Sequence, residues 1–414
     1  MLTISNVSAL EALDSRGNPT VSVAVELSDG TRARALVPSG ASTGKHEAVE
    51  LRDGDRNRYA GKGVLRAVSN VEEILRPAIR GLNVEDQQAL DQKLKEIDGT
   101  GDKSRLGANA ILGISCAAAR AAARALRMPL WRYLSAGRKP AMPSPMVNII
   151  SGGLHAGGRI EVQDFLVIPL GFATLADALE AIVKVHRATE GVLLEEGYAL
   201  TGVADEGGWG PALEANEAAL RILTDAIDRT GLETRFTIAV DVAASHFHSD
   251  GRYHLKSENR TLTSGEMIEM FEHWVAEYAV RSIEDGLEED DWHGWHAMTA
   301  RLGSRAQLVG DDLFTTNPER LRYGIGIGAA NAVLVKMNQI GTLSETFEVV
   351  DIARQAGYAA VISARSGETE DSFLADLAVA TGAGQIKIGS VTRSERLAKY
   401  NRLLEIEREM ESTA

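Results

Sequence analysis

Apolar and polar positions alternate near the start of the chain. VSVAVELSDG (21–30) runs with period two into an Asp29-Gly30 turn, and TRARALVP (31–38) resumes the alternation, which predicts a β-hairpin. From about Val64 to Leu134 the apolar spacing becomes helical and no strong strand signal interrupts it. SAGRKPAMPSP (135–145) then brings Pro140, Pro143 and Pro145 close together and predicts a linker. A smaller N-terminal α+β domain, 1–135, and a larger domain, 140–414, are expected on either side. Beyond the linker, short β-branched runs recur, each ending on a polar residue and followed by a helical pattern: FTIAVDV, AVRSIEDG, AQLVGDDL, NAVLVKMN, AAVISARSG and GQIKIGS. Their ends, at Asp241, Glu284, Asp311, Lys336, Ala364 and Lys387, are 43, 27, 25, 28 and 23 residues apart. That is the length of a strand, a helix and two loops, so the expected fold is α/β, a βα barrel or a doubly wound sheet.

Composition narrows the function. The formal charge is −14, which argues against nucleic acid or an anionic membrane as a partner. An anionic substrate stays compatible where metal ions or local cations offset the field. One cysteine, Cys116, in an alanine-rich helical run, allows no intrachain disulfide and reads as a small buried hydrophobe. The first residues lack a secretory pattern, and Arg120 and Arg124 break the longest apolar helix, so a cytoplasmic location is expected.

In a βα barrel the C-terminal strand ends converge on one mouth. Here those ends would gather Asp241, Glu284 and Asp311 with Lys336 and Lys387. Three converging carboxylates repel unless a cation joins them, and oxygen ligands favour magnesium. A neighbouring, partly desolvated lysine would have its pKa drawn down and serve as a general base. Removing a proton α to a carboxylate needs both parts, because the dianion formed must be held by positive charge.

Ordered along the chain are DSRGNPTV (14–21), VPSGASTG (37–44), GANAILGIS (107–115), GGLHAGGRIEVQDF (152–165), ADEGGWGP (204–211), IAVDVAAS (238–245) and SIEDGLEEDDW (282–292). VGDDL, LVKMNQIGTLSE, SARSGETED and IKIGSVTRSERLAKYNRLL follow. These motifs resemble the enolase (phosphopyruvate hydratase) family over nearly the whole chain. The resemblance implies an enolase-type βα barrel with an N-terminal capping domain, dehydration of 2-phosphoglycerate to phosphoenolpyruvate, and two Mg2+ per site. It implies Asp241, Glu284 and Asp311 as ligands of one ion and Ser39, in the SGAST loop, as a ligand of the second. Lys336 is implied as the base, Glu206 as the acid that assists departure of the C3 hydroxyl, and Lys387 as a contact of the substrate carboxylate. Arg365 and Ser366 are implied phosphate contacts, and His155, Gln163 and Asp164 belong to the implied substrate pocket. The implied partner is a small phosphorylated carboxylate, and the implied assembly a homodimer or a ring of dimers.

Three positions depart from the family pattern. Ala364 stands where S-H-R-S-G-E-T-E-D has histidine, Asp164 where Q-E-F has glutamate, and Gly286 where proline follows S-I-E-D. Two alternatives to the ordinary reaction therefore stand. One is a paralogue acting on a phosphoglycerate analogue, as the similar carboxyphosphonoenolpyruvate synthases do. The other is a binding protein that has lost turnover. Gly286 is expected to loosen its loop, and His246, His248 and His293 are read as surface residues.

Overall fold

The computed structural model describes residues 1–40 and 44–412; positions 41–43 of the SGAST loop lie outside them. Strands β1 (Ile4–Leu13), β2 (Pro19–Leu27) and β3 (Arg32–Leu36) form an antiparallel sheet in the order β1-β2-β3. The hairpin read from the sequence is β2–β3, with Ser22 opposite Leu36 and Glu26 opposite Arg32. In β3, Ala33 and Ala35 face the core while Arg32 and Arg34 face outward, the alternation that one covered face requires. The covering element is the helix Ala108–Ala125, buried along most of its length, Cys116 included. A Cβ at Gly113 would stand 2.4 Å from Val23 Cγ2, so the helix lies this close to the sheet only with glycine there.

Eight further strands close into a barrel. They are β4 (Ser144–Ser151), β5 (Asp164–Pro169), β6 (Phe236–Asp241), then, after a small sheet of β7 (His248–Ser249), β8 (Arg252–Leu255) and β9 (Arg260–Leu262), β10 (Val280–Glu284), β11 (Gln307–Gly310), β12 (Ala332–Val335), β13 (Ala359–Ser363) and β14 (Gly384–Gly389). The closing contact pairs β14 with β4. From β6 to β14 all barrel neighbours run parallel, but β5 is antiparallel to both β4 and β6. The regular βα repetition therefore begins only at β6. The small sheet and the helix Ser264–Glu277 account for the long step between Asp241 and Glu284.

Side chains of Met146, Leu166, Ile168, Ala239, Val309, Ala332, Leu334 and Val361 form a core of their own inside the barrel, separate from the larger core between strands and helices. The two parts of the chain are tied by Asp371, which accepts two guanidinium bonds from Arg120 at 2.9 and 2.6 Å and the backbone N–H groups of Leu36 and Phe373. Among the described residues no helix is long and apolar enough to cross a membrane.

Candidate functional site

Strand parity determines which side chains reach the barrel mouth. Successive residues of a strand point to opposite faces, so a residue two beyond an interior residue also points inward. Interior Ala239 leads to Asp241, Val309 to Asp311, Leu334 to Lys336 and Val361 to Ser363. Glu284 and Lys387 reach the same level, since Glu284 is paired with Asp241 and Lys387 with Ser363 across neighbouring strands. Asp164 has the parity of interior Leu166 and Ile168; because β5 runs the other way, its first residue, opposite Asp241, is the one at this level.

The acids and lysines meet in pairs. Lys387 donates to Asp241 Oδ2 at 2.6 Å and to Glu284 Oε2 at 2.7 Å, and Lys336 donates to Asp311 Oδ2. Gln163 reaches Asp241 at 3.3 Å, and Gln339 donates to Asp311 Oδ1 at 3.0 Å. Burial raises the Glu284 carboxyl well above its ordinary value, and the adjacent Asp241 charge raises it further. Burial works to lower Lys336, but the Asp311 carboxylate outweighs it and the net direction is upward. The downward pull expected from the sequence is absent while Lys336 is paired with this acid. Glu284 Oε1 is buried with no hydrogen-bond partner among the described residues. An orphaned buried carboxylate oxygen among further carboxylates fits a hard cation such as magnesium.

Asp285, the residue after Glu284, accepts the N–H groups of Asp311 and Asp312 at 2.9 and 2.8 Å and so fixes the turn that carries Asp311. Oxygens of Asp285, Asp311 and Asp312 lie within 4.8 Å of one another, though those of Asp285 already serve the backbone. Gly286 is buried, and a Cβ there would crowd Phe271, Ile283 and Met298, so the loop is packed tightly and not loosened.

A second cluster comprises His155, Asp164 and Glu206. Asp164 is buried and holds His155 Nδ1 at 2.9 Å, while Asn148 and Ser151 donate to its other oxygen. Burial disfavours the imidazolium, but Asp164 and Glu206 outweigh it and push His155 up to about 9. Glu206 shifts the other way: burial favours its neutral form, but Arg396, His155 and Lys387 together hold the carboxyl below its ordinary value. At neutral pH the proton of this cluster therefore resides with the His155–Asp164 pair, and Glu206 is charged. Asp164 supports His155 from behind instead of lining the cleft, where the sequence reading put it.

The cleft is lined by His155, Gln163, Glu206, Asp241, Asp311, Lys336, Arg365, Ser366 and Lys387, together with Ala364 and the exposed ring of His246. His246 is at the surface, as read from the sequence, but it faces this cleft; His248 packs at a tilt against the Tyr253 ring, and His293 is exposed. Ser39 pairs through its backbone with Gly367, but its hydroxyl is engaged by Arg52 at 2.8 Å and Glu50 at 3.3 Å.

Sequence reasoning missed two residues. Glu47 takes both terminal nitrogens of Arg365, at 2.9 and 3.2 Å, and so occupies the guanidinium that the resemblance implies for phosphate. Arg396, fully buried, donates to the carbonyls of Arg365, Ser366 and Ile388 and lies 4.0 Å from Glu206. It is the second arginine of TRSER, a motif quoted for its order alone.

Comparison with family models finds two matches. The model described as the enolase N-terminal domain covers residues 4–134, and the enolase C-terminal TIM barrel domain covers residues 139–414.

Proposed function

Since this chain belongs to the enolase family, we propose that it is a magnesium-dependent lyase that removes the proton α to a carboxylate and dehydrates 2-phosphoglycerate to phosphoenolpyruvate. The observation that carries this reading is the mouth itself, where Lys336 and Lys387 stand among Asp241, Glu284 and Asp311. Magnesium bound by these acids would supply positive charge against the substrate carboxylate and draw Asp311 away from Lys336. Lys336, no longer held protonated by that carboxylate, takes the C2 proton. Lys387 keeps its charge and contacts the substrate carboxylate. Arg365 and Ser366 receive the phosphate, Arg365 exchanging Glu47 for an anion that accepts two parallel bonds in the same way. Gln163 orients Asp241. Ser39 is the proposed contact for a second ion, a role that requires its hydroxyl to leave Arg52 and Glu50.

The second half of the reaction expels the C3 hydroxyl, which needs a proton. Glu206 is poised in its charged form, so we assign the transferable proton to the His155–Asp164 pair, with Glu206 holding the imidazolium. In this reading the protein is cytoplasmic, and the chain divides between Ser135 and Pro140 into capping and barrel domains. Its assembly is a homodimer or a ring of dimers.

The test is absorbance of the enol product from 2-phosphoglycerate with magnesium, alongside exchange of the C2 proton with deuterated solvent. Wild-type protein is expected to do both, and Lys336→Ala to lose both by roughly 10²–10⁴-fold. A wild-type protein that neither exchanges nor dehydrates sinks the proposal. Ala364 favours a second reading, an analogue of phosphoglycerate as substrate, because its methyl offers no proton donor to the cleft. Exchange without dehydration points to that reading.

A further inference from the structure

The charged side chains around the leaving-group end of the cleft are already engaged within the protein. His155 is bound to Asp164, and Glu206 faces Arg396. Ala364, which follows β13, lines the cleft with a methyl only. A bound substrate therefore meets no hydrogen-bond donor from the Ala364 side chain, and a polar group left unmatched would weaken binding.

His246 is a polar lining side chain left uncommitted among the described residues. β6 ends on Asp241, Val242 donates to the Glu284 carbonyl, and Ala243 turns the chain with φ +48°. The single turn Ala244–Phe247 that follows carries His246 back over the mouth, its N–H bonded to the Ala243 carbonyl. The ring lines the cleft and lies within electrostatic reach of Asp241, Asp311 and His155. Its two ring nitrogens have no hydrogen-bond partner among the described residues. It is held in place by its backbone and free at its tip, as a ligand contact requires.

We propose that His246 is a substrate-contacting residue, an imidazole that hydrogen-bonds the phosphorylated hydroxy acid from the β6 side of the barrel mouth, across from the Ala364 methyl that follows β13. The proposal rests on the function proposed above. Because the ring is exposed and makes no internal bond, its removal should leave the fold intact.

The experiment is calorimetric titration of 2-phosphoglycerate, with saturating magnesium, into Lys336→Ala protein so that no turnover intrudes. Adding His246→Ala is expected to weaken binding roughly 10- to 100-fold, the range for a hydrogen bond to a charged group. His246→Gln, which keeps a donor, should recover part of it. The magnesium affinity measured without substrate and the melting temperature should not move, whereas a merely structural role would shift both. Equal substrate affinity with and without the imidazole overturns the proposal, as does a loss of affinity accompanied by an equal loss of magnesium binding. Tight binding by these proteins with no turnover by the wild type would refute the proposed reaction while the His246 comparison still stands. No binding of 2-phosphoglycerate by His246-containing protein overturns both.

Discussion

His155 shows how far a single side chain departs from its free behaviour when burial and charge act together. Its ordinary value of 6.5 is pushed up to about 9, burial being outweighed by Asp164 and Glu206. A raised folded pKa means that the stability His155 contributes through this pair is present in full below about 6.5 and is lost as pH rises through 9. In metal-free protein, NMR titration of the ring should give a midpoint near 9, and Asp164→Asn should return it toward or below 6.5; a wild-type midpoint close to 6.5 would refute the pairing. Asp241, Glu284, Asp311 and Lys336 were legible in the sequence because a polar residue ending an apolar strand is conspicuous, and strand parity does the rest. Glu47 and Arg396 were not. Glu47 meets its partner 318 residues away, and an arginine in SERLAKYNRLLEIEREME looks like any charged residue on a helix surface until the helix is docked.

At the scale of elements, the βα units from β6 onward were readable from the spacing of apolar runs, while β4 and β5, and with them the antiparallel direction of β5, were not read. Their connection, 152–163, holds only a single turn, with no helix of the kind that usually crosses over between parallel strands. The docking of one element on another was beyond a local reading. Asp371 joins the helix Ala108–Ala125, the end of β3 and the start of the helix Phe373–Thr381 through four hydrogen bonds. Burial alone would raise its carboxyl, but Arg120 and the two N–H groups hold it below the ordinary 3.8. Stability from this junction is therefore present above about 3.8 and lost as pH falls through the lower folded value. Asp371→Ala should cost about 3 kcal/mol at pH 7 by urea denaturation, since Arg120 is left without its carboxylate. A loss below about 1 kcal/mol would place the junction's strength elsewhere.

At the scale of the molecule, 58 acidic against 44 basic residues leave a chain of −14, and several of its acids share one mouth. A cation bound only by the folded form raises stability by mass action, about 2.7 kcal/mol at a hundredfold excess over its dissociation constant. Magnesium should therefore raise the melting temperature by several degrees, a chelator should reverse the rise, and Glu284→Ala should abolish it; an unchanged melting curve would argue against cation binding at this mouth. The order in which the barrel is assembled bears on synthesis as well. Its closing pair places Lys387 beside Met146, so the edge of β4 waits for a partner made 387 − 146 = 241 residues later. At ordinary translation speeds that is roughly 10–50 s with an apolar strand edge uncovered on the ribosome. The last strand to be made also brings Lys387, and the helix after it brings Arg396. A nascent chain stalled before residue 384 thus has neither a closed barrel nor a complete mouth, which makes this interval the one in which a chaperone would matter most.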